Sequence, residues 1–150
     1  MKAINHIKLE FPSIAGNVRL ARIAVAAFAS ELDYDVSVLE EIKVAVSEAV
    51  TNAIVHGYQK DPQGIVTLTA SLYDSSLEIV VEDRGRGINK LDQALEPGEG
   101  TDPERMGLGF VFMRTFMDEL EVTSEPDQGT KVIMRKKLPG EVKAQWFNEN

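Results

Sequence analysis

Residues 46–58 read Val46-Ser47-Glu48-Ala49-Val50-Thr51-Asn52-Ala53-Ile54-Val55-His56-Gly57-Tyr58. Apolar residues here recur at helical spacing, which predicts a helix with one buried face. Glu48 and Asn52 are four residues apart and therefore share one side of that helix. Asn52 also lies beside the apolar stripe, and an amide near a covered surface needs polar partners. A magnesium ion, which prefers oxygen ligands, would satisfy it. The alternative is a helix whose polar edge merely carries Glu and Asn.

The remaining chain predicts an alternation of strands and helices around this helix. Strands are expected over about 6–11, 65–73, 77–82, 120–124 and 130–138. A first helix is expected over 17–32, with a buried stripe of Leu20, Ile23, Ala24, Ala27 and Phe28. A capping box at Ser37–Glu40 opens the second helix, Gly57 ends it, and a third helix begins near Gly109. This order predicts an α+β two-layer sandwich, with helices on one face of a mixed sheet. One domain spans residues 5–138, and residues 139–150 form a C-terminal tail.

Two glycine-rich segments follow the predicted helix. Asp83-Arg84-Gly85-Arg86-Gly87-Ile88 leaves the end of an apolar strand, where a carboxylate can accept a hydrogen bond from an exocyclic amine such as that of adenine. Arg105-Met106-Gly107-Leu108-Gly109-Phe110 opens a helix, and helix N-termini preceded by glycines bind phosphate. Each segment alone also fits a plain turn or a tightly packed helix start. No Walker A sequence is present.

Composition excludes several classes of function. The chain has no cysteine and two histidines far apart in sequence, which argues against disulfides and zinc sites. A net charge of −8 argues against nonspecific nucleic-acid binding, because phosphate backbones require clustered Lys and Arg. The longest apolar run, Ile23–Ala29, is too short to span a membrane, and the N-terminal residues do not resemble a signal peptide. A cytoplasmic location is expected.

The three segments together resemble the ATPase fold shared by DNA gyrase, histidine kinases and MutL, the Bergerat-type ATP-binding fold of the GHKL class. Within that class, residues 46–58, the segment Arg105–Phe110 and the pair Gly129-Thr130 resemble the anti-sigma factor serine kinases, in particular the anti-sigma F family of sporulation. The resemblance covers about residues 5–138. The segment Glu96–Glu104, which would form the lid of the site, departs from the sporulation pattern, so relatives of the general stress response remain an alternative.

The resemblance implies a role for each matching residue. Glu48 would be the general base for a serine hydroxyl, Asn52 would hold magnesium, and Asp83 would bind adenine with help from Thr130. The other residues implied to contact ATP are Gly85, Gly87, Ile88, Arg105, Gly107, Leu108 and Gly109. Arg22 matches an arginine that contacts partners, although a solvated helix charge is the competing interpretation.

The resemblance also implies the partners. Such a protein sequesters a sigma factor as a homodimer and phosphorylates a serine of an anti-anti-sigma protein. A detached ATPase domain of a histidine kinase is a further alternative. The histidine kinase alternative lacks support, because neither His6 nor His56 lies on a separate dimerisation helix as a phosphoacceptor would.

Overall fold

The computed structural model describes residues 2–89 and 106–140. Arg105, the segment 96–104 and most of the tail predicted over 139–150 lie outside these residues. The described strands are β1 (Asn5–Pro12), β2 (Ile65–Leu72), β3 (Ser76–Asp83), β4 (Glu119–Glu125) and β5 (Gly129–Lys137). Together they form a five-stranded sheet in the order β1-β2-β3-β5-β4.

Every neighbouring pair of strands in this sheet is antiparallel. The predicted α+β architecture is confirmed, but the expectation of a mixed sheet is wrong. Two short connections explain the pairs β2–β3 and β4–β5, whereas β1–β2 and β3–β5 join strands that are distant in the chain. Residues 73–75 join β2 to β3, and residues 126–128 join β4 to β5. Connections of this length make hairpins, which pair their strands antiparallel, whereas parallel pairing requires a long crossover.

The described helices are α1 (Asn17–Ala29), α2 (Val36–Asn52) and α3 (Met106–Phe116). A short 3-10 turn, Ser30–Leu32, follows α1. The predicted capping box of α2 is wrong. The helix begins at Val36, Asp35 occupies the cap position, and no side chain bonds to the exposed amides there. Helix α3 begins at Met106 and not near Gly109, so Gly109 lies inside its first turn.

One face of the sheet packs against the helices and holds the core. Alternate residues of the two central strands β2 and β3 point into it. They are Val66, Leu68, Ala70, Leu72, Leu77, Ile79 and Val81. The opposite face is polar, and there Arg135 forms ion pairs with Glu78, Glu119 and Glu121 at 2.9–3.1 Å. Within the described residues, no helix combines the length and apolar character needed to cross a membrane.

Helix α1 buries a different face from the one that its large apolar residues predict. Ala21, Val25 and Ala29 are fully buried, whereas Leu20 and Ile23 are 53% and 50% exposed. The predicted stripe is therefore wrong at Leu20, Ile23 and Ala27, whereas Phe28 packs partly buried against the core. Small side chains allow α1 to approach α2 closely, and close packing of the backbones decides the buried face here.

A π-helical turn, Ala53–Gly57, extends the end of α2. The backbone N–H of Tyr58 donates to the carbonyl oxygen of Ala53 at 2.9 Å, which closes this wider turn. Such turns are rare and occur frequently at functional sites. The turn begins directly after Asn52 and brings Gly57 against the end of β3.

Candidate nucleotide site

Asp83 ends β3 with its side chain on the buried face of the sheet. It is only 8% exposed, and its Oδ1 accepts a hydrogen bond from the backbone N–H of Gly85 at 2.9 Å. Burial raises the pKa of Asp83 to about 6, although hydrogen bonds from the backbone of Gly85 and Thr130 oppose the rise. A buried carboxylate with few partners is suited to accept a hydrogen bond from a ligand amine.

Two glycines allow the π turn to touch the residues around Asp83. A Cβ atom added at Gly57 would lie 2.7 Å from the carboxyl carbon of Asp83, and one at Gly85 would overlap the carbonyl oxygen of Gly57. That same carbonyl accepts a hydrogen bond from the backbone N–H of Arg86 at 2.9 Å. Side chains at these two positions would push the turn away from the strand end. Gly85 therefore packs against the backbone of Gly57 and does not line the cavity described below.

Glu48 and Asn52 meet the first turn of α3. A Cβ atom added at Gly109 would lie 3.0 Å from Oε2 of Glu48 and 3.2 Å from Nδ2 of Asn52. The Nδ2 atom of Asn52 is buried and has no hydrogen-bond partner. Burial raises the pKa of Glu48 above its ordinary value. The structure thus brings a carboxylate and an unsatisfied amide into close contact with the first turn of α3.

A small cavity lies between Asn52 and Asp83. It is lined by Ala49, Asn52, Ala53, His56, Gly57, Val81, Asp83, Gly87, Ile88, Met106, Phe110, Thr130 and Val132. Apolar walls with a single carboxylate suit a flat, polar-edged base such as adenine. The cavity volume is about 20 Å³, so binding of a base requires the surrounding side chains to separate.

Thr130 belongs to a hydrogen-bonded chain that the sequence did not reveal. Its Oγ1 lies 2.8 Å from Oγ of Ser124, and the backbone N–H of Ile88 donates to the same Ser124 hydroxyl at 2.8 Å. Ser124 therefore links β4, β5 and the loop after Asp83. The alternation of Ser124 with Val122 on β4 was the available signal, because it places Ser124 on the inward face.

The other predicted site residues are distributed around this cavity. Gly87 lines it with a positive φ of 70°, a conformation that favours glycine. Gly107 is buried, while Leu108 is 40% exposed and does not line the cavity. Arg22 approaches Ser47, the residue before Glu48, with 3.5 Å between Nη1 and Oγ. The role predicted for Arg105 concerns a residue outside the described ranges.

The arrangement is compatible with a magnesium ion held mainly by phosphates. Across residues 2–89 and 106–140, no group of three or more acidic or histidine side chains forms a metal cage. Magnesium usually needs only one or two protein ligands when substrate phosphates supply the others. Asn52 offers one oxygen ligand, its Oδ1, and its buried, unpartnered Nδ2 is a donor suited to a phosphate oxygen.

Comparison with known proteins decides the family. A family model described as a histidine kinase-like ATPase domain matches residues 11–136. The anti-sigma F factor of Clostridium perfringens is 49% identical over 136 residues, which cover 89% of this chain and 97% of that protein. The chain belongs to the anti-sigma F factor family. The anti-sigma F factor of Shouchella clausii is 47% identical over 89% of this chain and 93% of its own length.

Solved structures agree on the fold of this anti-sigma F family member. A Mycobacterium tuberculosis protein with RsbU and RsbW domains superposes with a TM-score of 0.66 over 93% of this chain, at 22% identity. A blue-light activated histidine kinase of Erythrobacter litoralis gives a TM-score of 0.52 and 32% identity over 71% of this chain. This chain spans 35% and 32% of those longer proteins. The expected relation to histidine kinase ATPase domains is therefore confirmed.

Proposed function

We propose that this protein sequesters a sporulation sigma factor and uses ATP with magnesium to phosphorylate a serine of an anti-anti-sigma protein. The relatives named anti-sigma F factors support the first half of this proposal. The contact of Glu48 and Asn52 with Gly109, next to the cavity that contains Asp83, supports the ATP-dependent kinase activity. The same relatives favour a sporulation protein over a regulator of the general stress response.

Each group of the site has one task in this proposal. Asp83 accepts a hydrogen bond from the amine of adenine, and the apolar walls of the cavity, Val81, Phe110 and Val132, enclose the ring. Asn52 would hold magnesium through its amide oxygen. The ion would neutralise charge on the phosphates during transfer. Gly107 and Gly109 present backbone N–H groups of the first turn of α3 to the phosphates.

Glu48 removes the proton from the attacking serine hydroxyl. A general base works best when its pKa lies near the operating pH. Burial raises the pKa of Glu48 in that direction. The carboxylate lies beside Asn52, so a hydroxyl brought to the terminal phosphate would reach both groups. The serine oxygen forms a bond to the terminal phosphorus of ATP as the bond from that phosphorus to the leaving ADP breaks. The proton of the hydroxyl goes to Glu48.

We also propose a homodimer formed through the polar face of the sheet. That face carries a groove of about 760 Å³ whose lining includes Lys8, Glu10, Glu82 and Lys131. Pairs of opposite charge lie side by side there, with Lys8 3.3 Å from Glu10 and Lys131 3.5 Å from Glu82. A surface with both signs of charge can complement a second copy of itself across a two-fold axis.

The decisive experiment uses the anti-sigma and anti-anti-sigma proteins of one organism. The full chain is mixed with γ-labelled ATP, magnesium and the anti-anti-sigma protein, and label on serine is located by mass spectrometry. A parallel pull-down measures binding of the sigma factor. Transfer to serine together with sigma binding is the expected result. Label on a histidine, or no transfer under any condition, would contradict the kinase assignment.

A further inference from the structure

Tyr58 makes two hydrogen bonds that bracket the strand ends next to the nucleotide cavity. Its hydroxyl donates to the carbonyl oxygen of Ile65, at the start of β2, at 2.6 Å. The same hydroxyl accepts a hydrogen bond from the backbone N–H of Arg84 at 2.7 Å. Its ring lies where a Cβ atom of Gly64 would otherwise be. The side chain therefore occupies a fitted position, although Tyr58 is not fully buried.

The bond to Arg84 fixes one side of a single peptide group. The N–H of Arg84 and the C=O of Asp83 belong to the same planar peptide unit. The opposite side of that unit is also held, because a Cβ atom at Gly129 would overlap the carbonyl oxygen of Asp83. The peptide after Asp83 is thus clamped between the Tyr58 hydroxyl and the backbone of Gly129. Its orientation sets the direction in which the Asp83 carboxylate enters the cavity.

The backbone of Tyr58 connects this clamp to α2. Its N–H closes the π turn through the carbonyl oxygen of Ala53, one residue after Asn52. One residue therefore links the end of the helix that carries Glu48 and Asn52 to the strand end that carries Asp83. The distance between the phosphate end and the base end of the site depends on that link.

We propose that Tyr58 is a positioning residue that orients the Asp83 carboxylate for recognition of the exocyclic amine of adenine. This inference rests on the proposed ATP site, because it assumes that Asp83 binds the base. Tyr58 does not touch the ligand in this scheme. It acts through the peptide group between Asp83 and Arg84, and its effect should therefore appear as a loss of base discrimination.

The test compares two nucleotides and three proteins. Purine riboside triphosphate has hydrogen in place of the adenine amine, so its affinity relative to ATP measures the bond to Asp83. Tyr58→Phe removes only the hydroxyl. Tyr34→Phe is the matched control, because the Tyr34 hydroxyl also donates to a backbone carbonyl, that of Lys136 at 3.2 Å, away from the cavity. Affinities are measured by calorimetric titration, with folding checked by circular dichroism.

The parent protein and Tyr34→Phe should prefer ATP by about tenfold or more, the size expected for a hydrogen bond to a charged group. In Tyr58→Phe this preference should fall by about fivefold, as for the loss of one hydrogen bond. An unchanged preference for ATP in Tyr58→Phe, even if both nucleotides bind more weakly, would overturn the role of Tyr58. It would leave the proposed ATP site intact. No preference in the parent protein would instead refute adenine binding by Asp83.

A second measurement needs no variant and covers the case in which Tyr58→Phe does not fold. Hydrogen exchange of the Arg84 amide is followed in the parent protein at equal saturation with each nucleotide. If the clamp is coupled to recognition of the amine, ATP should slow this exchange more than purine riboside triphosphate does. Equal slowing by both nucleotides would contradict the coupling.

Discussion

Replacing Asp83 by asparagine should make the unliganded protein more stable at neutral pH. Burial raises the pKa of Asp83 from 3.8 to about 6 in the folded protein. A group whose pKa is raised on folding stabilises the folded state below its unfolded pKa, and this contribution is lost as pH rises through the folded pKa. Stability should therefore decline between about pH 4 and pH 6 on account of this one side chain.

The size of the effect follows from the two pKa values. A pKa of about 6 in place of 3.8 corresponds to about 3 kcal/mol in the free energy of unfolding. The amide group that the substitution introduces is neutral at every pH, and its oxygen can still accept the hydrogen bond from Gly85. The Asp83→Asn variant should therefore match the parent near pH 4 and exceed it by between about 1 and 3 kcal/mol at pH 8.

Urea denaturation of both proteins from pH 4 to pH 8 measures this difference, and subtraction cancels the other titrating groups. A stability difference that does not change with pH, or a parent protein that is the more stable at pH 8, would refute the reasoning. The same ionisation should govern ligand binding in the opposite sense. If only the ionised carboxylate binds adenine, ATP affinity of the parent should be about tenfold weaker at pH 5 than at pH 7.

Three further predictions concern the phosphate end of the site and the assembly. Glu48→Gln should reduce transfer to the partner serine by about 10²–10⁴-fold, because the substitution removes a general base. Titration should show that ATP affinity is unchanged or improved. Transfer at the parent rate would exclude Glu48 as the base. Gly109→Ala should leave thermal stability unchanged or lower it slightly, because the gain in helix propensity, about 1 kcal/mol, is offset by a Cβ atom 3.0–3.3 Å from Glu48 and Asn52, closer than ordinary contact. The same crowding of Glu48 should lower transfer about tenfold or more, whereas Arg114→Ala, at an exposed position of the same helix, serves as the control and should retain activity. Light scattering at micromolar concentration should give twice the monomer mass, and a monomer both with and without ATP would contradict the proposed dimer.

Much of the fold was predictable from the sequence because its signals are local. Alternating apolar residues located the strands, and helical spacing located α2. The pairing of Glu48 with Asn52 on one helix face follows from helical geometry alone. The position of Asp83 at a strand end was likewise evident from the chain.

The tertiary structure decided which surfaces meet. Periodicity selected Leu20 and Ile23 for the core, yet α1 buries Ala21 and Val25, because small residues let two helices approach closely. The choice of the buried face of α1 cannot be made from its own sequence, because it depends on the helix that it packs against. The tertiary structure also decided the direction of strand pairing, because that direction depends on which strands become neighbours and not on any one strand.

The chemical state of the site was decided in the same way. A sequence shows that Asp83 is a carboxylate, but only burial in the folded protein removes water from it and raises its pKa to about 6. The clamp formed by Tyr58 joins residues 26 positions apart in the chain. Desolvation and long-range hydrogen bonds depend on the folded arrangement of many residues. The sequence determined which functional groups the site contains, and the fold determined their orientation, their partners and their protonation.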